Sequence, residues 1–193
     1  MNLDFSNYAA LVMDWDGTVV DSQPLNYRCL AQALSPYGID LHQRWYRARI
    51  GTSGADLLAE LGVAAPHEEV LARCGELIIS QVGTLRPFPV AVGWVEAARG
   101  QGLRCAVASG GGGPVVRAGL AATGLERLFE VVVTREDVAR GKPAPDLFVE
   151  AARRLGVPPT RCLVVEDADE GLAAARAAGM DAVDVRPFAV SAW

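Results

Sequence analysis

The residues that most clearly point to catalytic chemistry are an Asp-x-Asp pair in VMDWDGTVVDS, residues 12–22. Asp14 and Asp16 follow an apolar run that is typical of a buried strand, and Gly17 comes directly after them. Residues two apart on a strand share a face, so the two carboxylates face one way and Trp15 the other. Adjacent carboxylates repel each other unless a cation or a shared proton relieves them. Mg²⁺ does so well, because it takes oxygen ligands and keeps waters for phosphate oxygens. The alternative is a pair of turn aspartates that cap a helix.

Three later segments add polar groups that suit the same chemistry. Ser109 ends an apolar run and precedes four glycines, whose exposed N–H groups ahead of a helix form an anion site. Lys142 lies in RGKPAPD, and Glu166 and Asp167 open EDADEG. Taken singly, each has a simpler explanation. The glycines are also typical of a flexible loop, a lone loop lysine is usually solvated, and acidic residues at a helix start commonly interact with the helix dipole. Together they supply a carboxylate nucleophile, an acid/base, phosphate donors and a cation site, which is a phosphoryl-transfer set.

Alternating strand and helix patterns predict the scaffold that brings these groups together. Five short apolar runs are predicted as strands: 8–15, 103–109, 129–134, 161–167 and 181–185. Helix patterns cover 91–100, 115–123, 146–155 and 171–179. This alternation predicts an α/β fold, a doubly wound parallel sheet with helices on both faces. Ligands of such sheets bind beyond the carboxyl ends of the strands, where the polar groups above fall.

One long segment interrupts the alternation. Residues 21–86 carry only helix-like patterns, such as PLNYRCLAQALSPYG and GADLLAELG. We therefore predict a core domain formed by residues 1–20 and 87–193, with a helical domain, residues 21–86, inserted after the first strand.

Composition excludes several classes of partner. The net charge is −5 and the sequence has no Lys/Arg-rich run, so we expect no nucleic-acid partner. No apolar run reaches the roughly 20 residues that span a bilayer. The N-terminus lacks the pattern of a secretion signal, and the four cysteines form no C-x-x-C pair. A reduced cytoplasmic location and a monomer are the expectations.

The four motifs in this order resemble the haloacid dehalogenase-like (HAD) phosphatases, over nearly the whole chain. The matching residues are DWDGT at 14–18, Ser109, Lys142 in GKPAPD, and EDADEG at 166–171. The inserted helices are similar to that family's mobile cap. The later motifs look closest to the β-phosphoglucomutase and fructose-1-phosphatase-like branch.

The resemblance implies a role for each matching residue. Asp14 would attack the substrate phosphorus and form an aspartyl-phosphate, and Asp16 would protonate the leaving alcohol and then activate water. Asp14, the backbone carbonyl of Asp16 and Asp167 would hold Mg²⁺, with Glu166 close by. Thr18 and Ser109 would donate to the phosphoryl group, Lys142 would balance its charge, and the cap would exclude water.

Departures from the mutase branch favour a phosphatase over a sugar-phosphate mutase. Asn26 stands where that branch carries a His, and Gly54 lies near the place of its cap Arg. The glycine loop lacks the Ser, Lys and Asn that follow the serine in mutases, leaving bare amides at Gly110 and Gly111. Thr18 also favours a phosphatase, since phosphatases of the family usually carry the sequence DGT at this position.

The expected substrate is a small phosphorylated metabolite, a sugar or polyol phosphate. The residues predicted to shape its pocket are Asn26, Arg49, Thr52 and Ser53, with Arg47 as a further candidate. A phospho-accepting receiver module is the alternative from another class. It carries its acceptor aspartate on a later strand and lacks such an insertion, whereas here the Asp-x-Asp pair ends the first strand.

Overall fold

The computed structural model describes residues 3–189 and 191. Its centre is one sheet of five parallel strands in the order β3-β2-β1-β4-β5. The strands are β1 Ala10–Met13, β2 Arg104–Ala108, β3 Val131–Val133, β4 Cys162–Glu166 and β5 Asp181–Asp184. The predicted parallel α/β sheet is confirmed.

The helices fall into two groups. Those that connect successive strands are α5 Pro89–Gly100, α6 Gly113–Thr123, α7 Asp146–Leu155 and α8 Asp169–Ala177. Those between β1 and α5, here called the inserted helices, are α1 Gln23–Leu34, α2 Gln43–Arg47, α3 Gly54–Glu60 and α4 His67–Gln81. The described part of the chain has no helix whose length and apolar character would let it cross a bilayer.

Side chains of β1 point alternately to the two faces of the sheet and pack into two apolar clusters. Leu11 and Met13 pack into a cluster that also contains side chains of the inserted helices, whereas Ala10 and Val12 pack with Phe148 of α7 on the other face. Because both faces are covered, the strand is a continuous apolar run rather than an alternating one. The four cysteines are buried thiols within these two clusters.

All five predicted strands are longer than the observed ones. At β1 and β3 the backbone turns before the apolar pattern ends. The carbonyl of Trp15 accepts hydrogen bonds from the amides of Val19 and Val20, at 3.0 and 3.2 Å, so β1 stops at Met13. Thr134 caps a short 3₁₀ turn by accepting and donating hydrogen bonds with its neighbours, which ends β3 at Val133. Helix α7 has the predicted bounds, ending where Gly156 adopts a left-handed φ of 67°.

The two segments that join the inserted helices to the sheet lie side by side. The Asp21 amide donates to the Arg86 carbonyl, and the Phe88 amide donates to the Val19 carbonyl, both at 2.9 Å. Helices α1 and α4 pack against each other beyond this crossing. The segment 21–86 therefore leaves and re-enters the sheet region at one place, which is compatible with the predicted division at residues 20 and 86.

Candidate active site

The strand order explains why distant polar residues meet. β1 is central, with β2 on one side and β4 on the other, and Met13 pairs in register with both Val107 and Val165. The chain runs outward from β1 to β3 and then returns to β4, so the strand order reverses beside β1, where open sheets bind ligands. Asp14, which follows Met13, thus lies at that crevice.

Lys142 links two of the predicted acids. Its Nζ donates to Asp14 Oδ1 and to Glu166 Oε1, both at 2.5 Å. The Lys142 side chain is only 10% exposed, and those of Asp14 and Glu166 are 7% and 1% exposed. Ion pairs buried this deeply need full hydrogen bonding to offset the loss of hydration.

One ammonium serves three clustered carboxylates, and the pKa values reflect this. Burial raises the pKa of Asp14 well above its usual range, with Lys142 opposing and Glu166 and Asp167 adding to the rise. Burial alone would lower the pKa of Lys142, but Asp14 and Glu166 outweigh it and raise that pKa. The cluster has more negative charge than Lys142 can balance.

Asp167 lies against the turn that follows the Asp-x-Asp pair. Thr18 Oγ1 donates to Asp167 Oδ1 at 3.1 Å, so the Thr18 hydroxyl, expected on a phosphoryl group, here contacts a carboxylate. Burial, followed by the charge of Glu166, raises the pKa of Asp167 to about 7. Gly17 has a φ of 88°, and a side chain there would overlap the Asp167 carboxylate. Glycine at this position permits both the turn and the close approach.

These acids fit a hard divalent cation. Oxygens of Asp14, Glu166 and Asp167 lie within 4.8 Å of one another. Within the described residues, Asp14 Oδ2 is buried and has no hydrogen-bond partner, so this oxygen is open to a ligand or to a reacting group. Glu166 is more fully occupied, since its Oε2 accepts from the amides of Asp167 and Ala168, at 2.5 and 2.7 Å. Asp14 and Asp167 are therefore the better ligands, and Glu166 holds Lys142 and the loop.

The position of Glu166 depends on Gly171, a glycine in the first turn of α8. A Cβ on the buried Gly171 would overlap the Glu166 side chain. We expect Gly171→Ala to lower the free energy of unfolding by about 1–3 kcal/mol, as overpacking does, and to reduce activity by displacing Glu166. Urea unfolding measures the first effect. Gly93→Ala is the control, because Gly93 is exposed in α5 with nothing within 4 Å of its would-be Cβ, and it should stabilise by up to about 1 kcal/mol. Equal stability of Gly171→Ala and wild type would contradict this packing.

Asp16 lies apart from the Lys142 cluster and faces the inserted helices. Asn26 Nδ2, on α1, donates to Asp16 Oδ1 at 3.0 Å. The Ser109 hydroxyl lies 3.5 Å from Asp16 Oδ2, at the long end of hydrogen bonding. Asn26, predicted to contact substrate, thus contacts the predicted acid/base.

The glycine loop offers fewer bare amides than predicted. The Gly111 amide donates to Ser109 Oγ at 3.0 Å, and the Gly113 amide at the start of α6 donates to Glu136 Oε2 at 3.0 Å. The amide of Gly110 donates to no group within the described residues. The carboxylate of Glu136 had no signal in the sequence, because its contact depends on how β3 is placed beside α6.

Two of the residues predicted to shape a substrate pocket have partners within the inserted helices. Ser53 caps α3, accepting from the Asp56 amide at 3.2 Å, so its hydroxyl serves the helix. Arg49 pairs with Glu60 at 2.5 Å and stacks on Trp45, with 4.0 Å between guanidinium and ring centroid. Partners within the inserted helices thus engage both side chains, although Arg49 also lines the cavity described next.

A cavity of about 510 Å³ lies where the loop after α2 meets the loop after β4. It reaches Gly17 and Asp167, on the side of the acid cluster, rather than Asp16. Its wall carries both positive and negative charge, from Asp21, Arg47, Arg49, Asp169 and Glu170 among others, and the predicted pocket residue Thr52 also lines it. Asp21 was not singled out as a site residue, although it belongs to the same VMDWDGTVVDS stretch.

Comparisons with known proteins all point to one family of hydrolases. Residues 8–179 match the model of the haloacid dehalogenase-like hydrolases. The fructose-1-phosphate phosphatase YqaB of Escherichia coli (strain K12) is 39% identical over 94% of this chain and 98% of its own. The protein CbbY of Rhodobacter capsulatus is 34% identical over 90% and 83%. The crystal structure of CbbY from Rhodobacter sphaeroides with phosphate superposes with a TM-score of 0.86 at 25% identity, over 96% and 89% of the chains.

Proposed function

Since the chain belongs to the haloacid dehalogenase-like hydrolases, we propose that it is a phosphatase that hydrolyses a small sugar or polyol phosphate monoester through an aspartyl-phosphate on Asp14. The observation that carries this proposal is the buried contact of Asp14 with Lys142, with one Asp14 oxygen left free. A nucleophile needs such a held but unencumbered oxygen.

Each residue of the cluster has a part in the first half-reaction. Lys142 holds Asp14 through Oδ1, which leaves Oδ2 to attack phosphorus. As the new bond from Oδ2 to phosphorus forms, the ester bond to the alcohol breaks, and Asp16 gives its proton to the departing oxygen. Lys142 and the Gly110 amide would offset the charge that develops on the phosphoryl oxygens.

The second half-reaction releases phosphate. Asp16, now ionised, takes a proton from water, and the water oxygen bonds to phosphorus as the bond to Asp14 breaks. Asp14 is then free and Asp16 is protonated again, so the cycle closes without net loss of a proton from the pair.

Asp14, the backbone carbonyl of Asp16 and Asp167 would hold Mg²⁺, with Glu166 supporting the loop. When bound, the ion neutralises charge on the phosphoryl oxygens and on the crowded carboxylates. This fits the surplus of acids over ammonium groups in the cluster.

The inserted helices would act as a cap that closes over the site and keeps bulk water out. The paired crossing at residues 19–21 and 86–88 is the natural hinge. The cavity of about 510 Å³ is in the range that holds a small ligand.

The substrate class is tested by phosphate release from a panel of monophosphates with Mg²⁺ present. Fructose 1-phosphate heads the panel because the relative YqaB is named for it; other sugar, polyol and acid phosphates follow, with β-glucose 1-phosphate plus a trace of bisphosphate. Free phosphate from sugar or polyol esters would support the proposal. Formation of glucose 6-phosphate without phosphate release would show that the protein is a mutase rather than a phosphatase.

Metal removal should stop the reaction. We expect EDTA to abolish phosphate release and excess Mg²⁺ to restore it, because Asp14 and Asp167 would lose the cation that offsets their charge. The control is the same protein treated with EDTA that is already saturated with Mg²⁺. Undiminished hydrolysis in free EDTA would contradict the cation's part.

A further inference from the structure

The side-chain amide of Asn26 joins the inserted helices to Asp16. Asn26 lies in the first turns of α1, where its backbone amide donates to the Ser22 carbonyl at 2.9 Å. Its Nδ2 donates to Asp16 Oδ1 at 3.0 Å and lies 3.5 Å from the buried Ser22 hydroxyl. The contact therefore spans the junction between the segment that holds Asp16 and the first inserted helix.

The two oxygens of Asp16 have different surroundings. Oδ1 faces the Asn26 amide, whereas Oδ2 faces the Ser109 hydroxyl at 3.5 Å and the backbone of Gly111. A Cβ on Gly111 would lie 3.2 Å from Oδ2. Oδ2 therefore points towards the glycine loop, and Oδ1 points towards the inserted helices.

An amide nitrogen can only donate, whereas a serine hydroxyl can rotate to donate or to accept. With Nδ2–H directed at Oδ1, that oxygen serves as an acceptor, and the proton is favoured on Oδ2, where the Ser109 hydroxyl donates when Asp16 is ionised and can turn to accept when Asp16 is protonated. From the proposed function, we infer that Asn26 is a positioning residue: it holds Asp16 so that Oδ2, on the glycine-loop side, is the oxygen that gives the proton to the leaving alcohol.

The consequence is a link between closure and chemistry. Asn26 reaches Asp16 only while α1 lies in its present place over the strand ends. Movement of α1 away from the sheet removes the donor, and Asp16 is then free to rotate.

Two esters separate positioning from general damage. An alkyl monophosphate that the wild type hydrolyses needs a proton on its leaving alcohol, whereas p-nitrophenyl phosphate has a leaving group that departs without one. In Asn26→Leu we expect the first-turnover rate of alcohol release to fall about 10- to 100-fold, part of the usual worth of a general acid. Nitrophenol release in the first turnover should fall less than about 3-fold, because that step needs no acid.

Variants at two positions control for shape and for side-chain type. Asn26→Asp keeps the size but replaces the donor with an acceptor, so it should lose at least as much alcohol release as Asn26→Leu. Gln32→Leu makes the same kind of change on the exposed side of α1 and should match wild type with both esters. Equal losses with both esters in Asn26→Leu, or no loss with either, would overturn the inference.

A second readout does not depend on turnover. Asn26→Leu identifies the Asn26 side-chain amide signals in the ¹⁵N–¹H spectrum by their disappearance. Asp16→Ala should move those signals more than it moves the amide signals of Gln32. If they do not move, the inference fails whatever the activity; if no ester is hydrolysed by wild type, the proposed function fails and this spectrum alone decides whether Asn26 holds Asp16.

Discussion

Asp14→Asn should reduce phosphate release to below about 1% of the wild-type rate, since removal of a nucleophile costs several powers of ten. The amide that replaces Oδ2 has no lone pair able to attack phosphorus at a useful rate. Asn is close to Asp in size, so the packing around the site changes little. Phosphate release under saturating Mg²⁺ and substrate measures the loss.

Two controls separate lost chemistry from lost structure. Asp40→Asn makes the same change at an exposed acid before α2 and should retain wild-type activity. Thermal unfolding of Asp14→Asn should show a cooperative transition, since Lys142 keeps its contact with Glu166. A folded Asp14→Asn protein with more than about 1% activity would remove Asp14 from its role as nucleophile.

Lys142→Met should have the largest effect on stability. It leaves the carboxylates of Asp14 and Glu166 buried without their shared partner, and breaking a buried pair in this way costs about 3–5 kcal/mol. Activity should fall at least about 100-fold, because the charge that faces the phosphoryl group is also lost. Urea unfolding gives the change in the free energy of unfolding, and phosphate release gives the change in rate.

The stability deficit of Lys142→Met should shrink as the pH falls. Burial already raises the pKa of Asp14 above its unfolded value, and without Lys142 this rise is greater. A group whose folded pKa is raised binds its proton more tightly in the folded state, so its protonation stabilises the fold at low pH and this support disappears at higher pH. The gap from wild type should therefore be smaller at pH 5 than at pH 8.

Arg140→Met is the matched control for this effect. Arg140 is two residues away and pairs with Asp146, but its side chain is 70% exposed, and surface pairs contribute at most about 1 kcal/mol. A Lys142→Met protein no less stable than Arg140→Met, or one whose deficit grows on acidification, would contradict the burial of the Lys142 pair.

The sequence was sufficient for the parallel sheet and for most of what meets at its edge. Apolar runs that end in polar residues predict strands whose carboxyl ends lie together, and the structure does bring Asp14, Lys142, Glu166 and Asp167 into contact. Pro145 and Gly156 delimit α7 because proline favours a helix start and left-handed glycine favours its end.

Contacts that cross from the inserted helices to the sheet could not be predicted in the same way. The partner of Asn26 depends on the placement of α1 over the strand ends, which no local pattern encodes. Ser53 was predicted as a pocket residue on residue type alone, but its hydroxyl accepts from the Asp56 amide and caps α3. Arg49 does line the cavity, and it also pairs with Glu60. Such local partners become visible only in the folded chain.

The most direct test of the proposed mechanism is chemical trapping of the phosphorylated residue. The protein is mixed with Mg²⁺ and a hydrolysed ester, quenched in acid during turnover, reduced with borohydride and digested for mass spectrometry. An aspartyl-phosphate is reduced to homoserine, so we predict homoserine at position 14 and none without substrate. Turnover with an unmodified Asp14, or with the modification at another acid, would contradict the assignment of Asp14 as the nucleophile.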